Sequence, residues 1–137
     1  MIKLREYNEN DLSILKDYKA LFNLLNKNAI KYVILKDDVI SGFIVLDFIT
    51  AMNEYKLGKL YFDFLDESLF DLINDLFDSL LKEFIINNSY LKITCDLSAS
   101  DINKIEFLKE HSFIENKNQD NIVELKITKP IYLERNK

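Results

Sequence analysis

The amino-acid sequence predicts one mixed α/β layered domain over residues 1–137. Three observations carry that prediction. Apolar runs of strand length, rich in Ile, Val, Phe and Tyr, recur along the chain. Between them lie helical segments with apolar residues three and four apart. No linker rich in Ser, Gly or Pro, no repeat and no shift in composition divides the 137 residues, the length of one ordinary domain.

Residues 2–6 alternate apolar and charged side chains, the pattern of a half-buried strand. Asn8, Glu9, Asn10 and Asp11 suit a helix start, and Leu12, Leu15, Tyr18, Phe22 and Leu25 follow at helical spacing until Asn26-Lys27-Asn28. Residues 30–35 and 39–50 are apolar and β-branched around Lys36-Asp37-Asp38, which predicts a hairpin. Gly42, inside its second strand, is the expected place of a bulge. Residues 57–65 form an aromatic-rich strand after an Asn53-Glu54 turn. The strongest helix spans 68–87, with Leu69, Leu72, Ile73, Leu76, Phe77, Leu80, Leu81 and Phe84 on one face. Asn87-Asn88 suits its end. Residues 90–97 read as a buried strand. Ser98-Ala99-Ser100-Asp101 then opens a helix through His111 in the manner of a capping box. Phe113-Ile114 and residues 121–128 flank the polar stretch 115–120 as a final hairpin.

Composition excludes several classes. Eighteen Lys and Arg against 23 Asp and Glu give a net charge of −5, and no basic cluster forms, Lys16, Lys19, Lys27 and Lys31 being scattered. Binding to nucleic acid through phosphate neutralisation is therefore not expected. One cysteine, Cys95, and one histidine, His111, leave no material for a disulfide framework, a multi-cysteine metal site or a Ser-His-Asp triad, so no metal is expected. The longest apolar run, 43–48, contains Asp47 and falls far short of a membrane span, and the charged N-terminus does not read as a leader. A cytoplasmic protein without a membrane partner is the expectation.

The order β-α-β-β-β-α-β-α-β-β resembles the GCN5-related N-acetyltransferases (GNAT). Residues 2–12 resemble that family's opening strand and first helix. The hairpin 32–50, with Gly42 early in its second strand, resembles the family's Gly-(apolar)₃ strand, and 57–96 supply its strand, long helix and strand. Residues 103–113, Asn103-Lys104-Ile105-Glu106-Phe107-Leu108-Lys109-Glu110-His111-Ser112-Phe113, are similar to its closing helix and strand, N-x-x-A-x-x-F/L-Y-E-K-x-G-F. The resemblance covers nearly the whole chain. It implies a mostly antiparallel central sheet with helices on both faces, acetyl-CoA as cofactor and an amine as acceptor. The pantetheine arm would lie along the 57–65 strand, and Phe64, Leu65 and Ser68 would contact the cofactor.

Two departures set this chain apart. The family's Arg/Gln-x-x-Gly-x-Gly/Ala loop, whose backbone N–H groups cradle a diphosphate at a helix start, is replaced by Asp63-Phe64-Leu65-Asp66-Glu67-Ser68. This stretch is shorter, has no glycine or cation, and puts Asp66 and Glu67 where the diphosphate would sit. Carboxylates there suit the helix dipole, but two like charges 4 Å apart repel by about 4 kcal/mol at an effective dielectric near 20. The family's proton-donating tyrosine in the closing helix aligns with Leu108, and its glycine with Ser112. These departures favour a second reading, a non-catalytic binding or dimerisation module that does not bind acetyl-CoA and acts through a protein partner or as a homodimer.

A carboxylate could take the proton from an acceptor amine, and Asp63 and Asp47, each on an apolar strand, are the catalytic candidates. Cys95 lies in an apolar strand with no basic neighbour and is expected to be inert. Tyr61 and Tyr90 read as strand core, His111 as a cation at a helix end, and Glu67, Asp71, Asp75 and Asp78 as a solvated acidic helix face.

Overall fold

The computed structural model describes residues 1–137. Its seven strands are β1 Ile2–Glu6, β2 Ile30–Lys36, β3 Val39–Met52, β4 Tyr55–Phe64, β5 Tyr90–Ser98, β6 Ile114–Gln119 and β7 Ile122–Thr128. They form one sheet in the order β1-β2-β3-β4-β5-β7-β6. Every neighbouring pair is antiparallel except β4 with β5. Helices are α1 Lys19–Leu24, α2 Leu69–Leu72, α3 Asn74–Lys82, α4 Ile102–Glu110 and α5 Lys129–Arg135.

The alternation of side chains along the strands divides the core in two. Ile44, Leu46, Leu60, Phe62, Ile93, Cys95, Leu125 and Ile127 point to the face covered by α2, α3 and α4, where the larger core lies. Val33, Phe43 and Val45 point to the other face and meet Leu15 and Phe22. The layered α/β class and the mostly antiparallel sheet with helices on both faces are therefore what the structure shows.

Turn chemistry sets the hairpin registers. Asp37 and Asp38 (φ 51° and 67°) and Asp120 and Asn121 (φ 55° and 63°) occupy the left-handed conformations a two-residue turn needs. In β3 the bulge falls one residue before Gly42: Ile34 pairs Gly42 and Leu35 pairs Ile40, leaving Ser41 as the extra residue. Helix α4 ends in a Schellman arrangement, with the Phe113 N–H donating to the Leu108 carbonyl and the Ser112 N–H to that of Lys109. Ser112 takes φ 77° there, which explains why the family pattern has glycine at this point.

Four elements differ from the sequence reading. The first helix, expected to run to Leu25, is two tight turns, Glu9–Ser13 and Lys16–Tyr18, followed by the short α1. Bonds to the third residue back (Ile14 N–H to Asp11, Tyr18 N–H to Leu15) wind it more tightly than an α-helix. Buried Asp11 pins its start, accepting from Arg5 at 2.9 Å and from the Asn8 N–H at 2.9 Å. The long helix expected over 68–87 is divided at Ile73 into α2 and α3 and closes with a wider turn, Glu83–Asn87. Asn74 lies at the break, its amide donating to the Asp71 carbonyl at 3.1 Å. The polar stretch 115–120 is the edge strand β6 rather than a loop. Helix α5 was not expected at all, although Thr128 caps it and Pro130 suits its first turn.

Candidate functional site

The one parallel ladder stops before its strands do. Lys56 to Lys59 pair with Tyr90 to Thr94, and there the ladder ends, while β4 continues to Phe64 and β5 to Ser98. On the other edge of β4, Phe43 pairs Asp63 and the Leu65 N–H donates to the Ser41 carbonyl at 2.8 Å. Antiparallel alternation then turns the amides of Phe62 and Phe64 away from β3, towards the diverging β5. A cleft flanked by main-chain donors and acceptors results.

Three elements aim polar side chains at this cleft. Asp63 comes from β4, Tyr18 from the turn before α1, and Lys104 from α4. The Asp63 carboxylate accepts from the Tyr18 hydroxyl, from Lys104 Nζ at 3.0 Å and from the Phe64 N–H at 2.9 Å. A carboxylate offers about four acceptor positions, so one remains. Burial, with Asp63 beside it, pushes the Tyr18 phenol well above the ordinary range, so the phenol keeps its proton. Lower in the cleft, Lys59 pairs Asp96 at 2.8 Å.

Two cavities meet here. An outer one of about 440 Å³ lies between the β4–α2 turn and the start of α4, lined by Phe64, Glu67, Phe70 and Asn103 among others. An inner one of about 190 Å³ lies between the diverging strands, lined by Tyr18, Phe43, Tyr61, Cys95 and Asp96 among others. Asp63, Asp101 and Lys104 line both.

The residues singled out from sequence fall differently. Asp63 sits at the centre of the cleft. Asp47, four rungs away along the β3–β4 ladder and so about 13 Å off, accepts from the Asn26 N–H at 2.9 Å and holds the chain after α1. Phe64 flanks the outer cavity, whereas the Leu65 N–H is spent on β3. Cys95 is 2% exposed, and burial pushes its thiol up to about 12, so no thiolate nucleophile is present near neutral pH. Leu108 is fully buried in the larger core and cannot reach the cleft. Tyr61 lines the inner cavity, whereas Tyr90 is core and packs on Gly58. His111 is 7% exposed and straps α4 to α3, Nδ1 against Asp78 at 2.6 Å and Nε2 against Asn74 Oδ1 at 2.8 Å. Of the acidic helix face, Glu67 and Asp71 confront Glu106 and Glu110 across a shallow cavity. No three His, Cys, Asp or Glu side chains converge as a metal site.

Sequence reasoning missed Tyr18, Lys104, Asp96 and Asp101. Lys104 and Asp101 were within reach, since Lys104 falls in the segment that resembles the family's closing helix and Asp101 in the helix start just before it. No local pattern joins Lys104 to Asp63, which are 41 positions apart in the chain.

The β4–α2 turn carries its own anion. Asp66 Oδ1 accepts from the Ser68 N–H at 2.9 Å and the Ser68 hydroxyl at 2.7 Å, and Oδ2 accepts from Lys36 at 2.8 Å. Lys36 first, then Ser68, holds the Asp66 carboxyl down at about 2. A depressed carboxylate contributes stability in full above its unfolded value near 3.8, and that contribution is lost as pH falls from there through about 2. Lys36→Ala is expected to move the Asp66 titration up towards the ordinary range, read from its side-chain carboxyl signal by NMR. An unmoved midpoint would show that Lys36 is not the group that lowers it.

No family model matches the chain, and no curated protein matches it in sequence. Solved structures do match. A chimera of the spermidine N-acetyltransferase SpeG from Vibrio cholerae and hSSAT superposes with a TM-score of 0.76 at 13% identity, covering 98% of this chain and 99% of that one. The V. cholerae spermidine N-acetyltransferase in complex with CoA and spermine gives 0.70 at 15% identity, covering 96% and 98%. The Campylobacter jejuni N-acetyltransferase PseH gives 0.67 at 11%, covering 93% and 97%. The fold of this chain is the GNAT acetyltransferase fold.

Proposed function

We propose that the chain is an acetyl-CoA-dependent N-acetyltransferase acting on an amine, with an altered cofactor site. The observation that carries this reading is the early end of the β4–β5 ladder. Two parallel strands diverge and leave main-chain groups facing a cleft, the Phe64 N–H there being held by the Asp63 carboxylate at 2.9 Å, and an extended chain with amide groups of its own, such as a pantetheine arm, can pair with those that remain. The cleft fits the arm, with Phe64 beside it. Asp63, with one free acceptor position, would receive the acceptor amine and orient it. The V. cholerae enzyme of this fold, solved with CoA and spermine, supports the ligand class.

The diphosphate does not fit the β4–α2 turn. Asp66 already occupies the Ser68 N–H, the Ser68 hydroxyl and Lys36, and Glu67 lines the outer cavity. That specific observation favours the second reading, a cytoplasmic non-catalytic module that binds a protein partner or a second copy.

Calorimetry with CoA and acetyl-CoA decides between them. Binding to the purified protein, followed by acetylation of an amine, supports the enzyme. No heat at millimolar ligand, together with a dimer or a captured partner on sedimentation, supports the module. If CoA binds, changing Asp66→Ser together with Glu67→Gly is expected to tighten it by about tenfold, because two negative charges leave the turn. Unchanged affinity would show that the diphosphate lies elsewhere.

A further inference from the structure

The imidazole of His111 lies between two acceptors. Nδ1 stands 2.6 Å from Asp78 Oδ1, and Nε2 stands 2.8 Å from Asn74 Oδ1. The Asn74 amide is oriented independently of the ring, because its nitrogen donates to the Phe70 carbonyl at 3.4 Å and to the Asp71 carbonyl at 3.1 Å. Turning it over would aim its oxygen at both carbonyls. A carbonyl oxygen therefore faces Nε2 and a carboxylate faces Nδ1. Each contact needs an N–H from the ring, and only an imidazolium has two. We propose that His111 is a charged clasp between the end of α4 and the α2–α3 break, and that its loss of a proton as pH rises releases α4 and widens the groove between α2 and α4.

A neutral ring can donate to one acceptor only. It keeps an N–H for the Asp78 carboxylate, and the bare Nε2 then meets the Asn74 oxygen, lone pair to lone pair. The contact that breaks is the one to the α2–α3 break. Water does not readily take its place, since His111 is 7% exposed and its ring packs 4.8 Å from Phe77 and 4.7 Å from Phe107, centroid to centroid.

The clasp works against a standing repulsion. Glu67 in the turn before α2 and Asp71 on α2 confront Glu106 and Glu110 on α4 across a cavity of about 290 Å³, whose lining includes no Lys or Arg. Like charges push α2 and α4 apart, and the His111 bridge holds them at one end. Lys109, the neighbouring cation on α4, is engaged by Glu115 of β6 at 2.9 Å. On α5, burial first and then Asp78 raise the Tyr132 phenol above its ordinary range, so it stays neutral. The groove and the outer cavity of the cleft share Glu67, Phe70 and Asn103, so the state of the clasp reaches the candidate site.

Histidine changes charge between about pH 5 and 8, where ordinary carboxylates, lysines and tyrosines do not. His111 is the one histidine of the chain. The N-terminal amine, whose class also titrates near there, sits on Asp37 at the β2–β3 turn. Bonds made only by the charged ring stabilise the packing of α4 at low pH and are lost as pH rises.

The test is amide hydrogen exchange in α4 of the folded protein, corrected for the intrinsic pH dependence of exchange and referred to β5, with NMR of the ring nitrogens. At about pH 5.5 both ring nitrogens are expected to carry protons, and from there to about pH 8 the protection of Ile105 to Leu108 is expected to fall about tenfold relative to β5. His111→Gln does not titrate and is expected to hold one level of protection across that range. Asp78→Asn removes the carboxylate that favours the charged ring and is expected to move the fall to lower pH by about one pH unit. A ring with a single proton at the lower pH overturns the clasp, as does constant protection of α4 in the wild type. A fall in His111→Gln equal to that of the wild type assigns the change to other groups and overturns it too. Should His111→Gln fail to fold, Asp78→Asn decides alone: an unmoved fall means that the charge on the ring is not what holds α4.

Discussion

Phe107→Ala is expected to destabilise the protein by about 3–5 kcal/mol, the usual range for emptying a buried aromatic site. Phe107, on α4, is 3% exposed. Its ring lies 5.9 Å from Phe62, 5.4 Å from Phe64, 5.8 Å from Phe70, 4.9 Å from Phe77 and 4.7 Å from His111, centroid to centroid. Those partners come from β4, α2, α3 and the end of α4, so one side chain joins four elements. Alanine favours a helix over phenylalanine by only about 0.5 kcal/mol, too little to offset the cavity. Domains of this kind are stable by about 5–15 kcal/mol, so the loss is a large part of the whole. Lys104 lies one turn earlier on α4, so loosening that helix also loosens the wall of the cleft. Urea unfolding gives the number; a shift below about 1 kcal/mol would mean that α4 is held elsewhere.

Gly42→Ala is expected to cost about 1–3 kcal/mol, although alanine is the better strand residue. In an unconstrained strand, replacing glycine stabilises by about 0.5–1 kcal/mol through lost backbone freedom in the unfolded chain. Here an added Cβ would stand 2.5 Å from the Asp63 carbonyl oxygen and 3.3 Å from the Phe64 Cα, both main-chain atoms. A side chain could turn aside, but a laddered backbone has to be pushed apart. The strand displaced is the part of β4 that carries Asp63, so the variant is expected to disturb the Tyr18 and Lys104 contacts as well. A lower urea midpoint with an unchanged slope supports the close approach. A midpoint at or above that of the wild type would place the two strands further apart at Gly42 than the structure does.

Much of the fold could be read from the chain because its signals are local. The Asp37-Asp38 turn and the apolar strands around it set one hairpin, and the apolar face from Leu69 to Phe84 marked the helical stretch that covers the larger core. Where the reading slipped, a side chain had an alternative to the regular pattern. Asp11 and Asn8 closed a tight turn in place of a long first helix, and Asn74 gave its amide to carbonyls at the helix break. Neither outcome follows from spacing of apolar residues, because a polar side chain competing for the backbone leaves the apolar pattern intact.

The candidate site divides in the same way. By itself the sequence determined the α/β class, the order of the seven strands, the turn without glycine at Asp66 and Glu67, and two carboxylates to watch, Asp63 and Asp47. All of these depend on neighbours in the chain. Only the tertiary structure decided that Asp47 anchors the segment after α1, that β4 and β5 part beyond Lys59, and that Tyr18, Asp63 and Lys104 meet in the gap. Side chains from a turn, a strand and a helix, separated by 45 and 41 positions in the sequence, come together only when the sheet and both helical layers pack, since the energy of an ion pair or hydrogen bond depends on distance in space and leaves no trace in the local pattern.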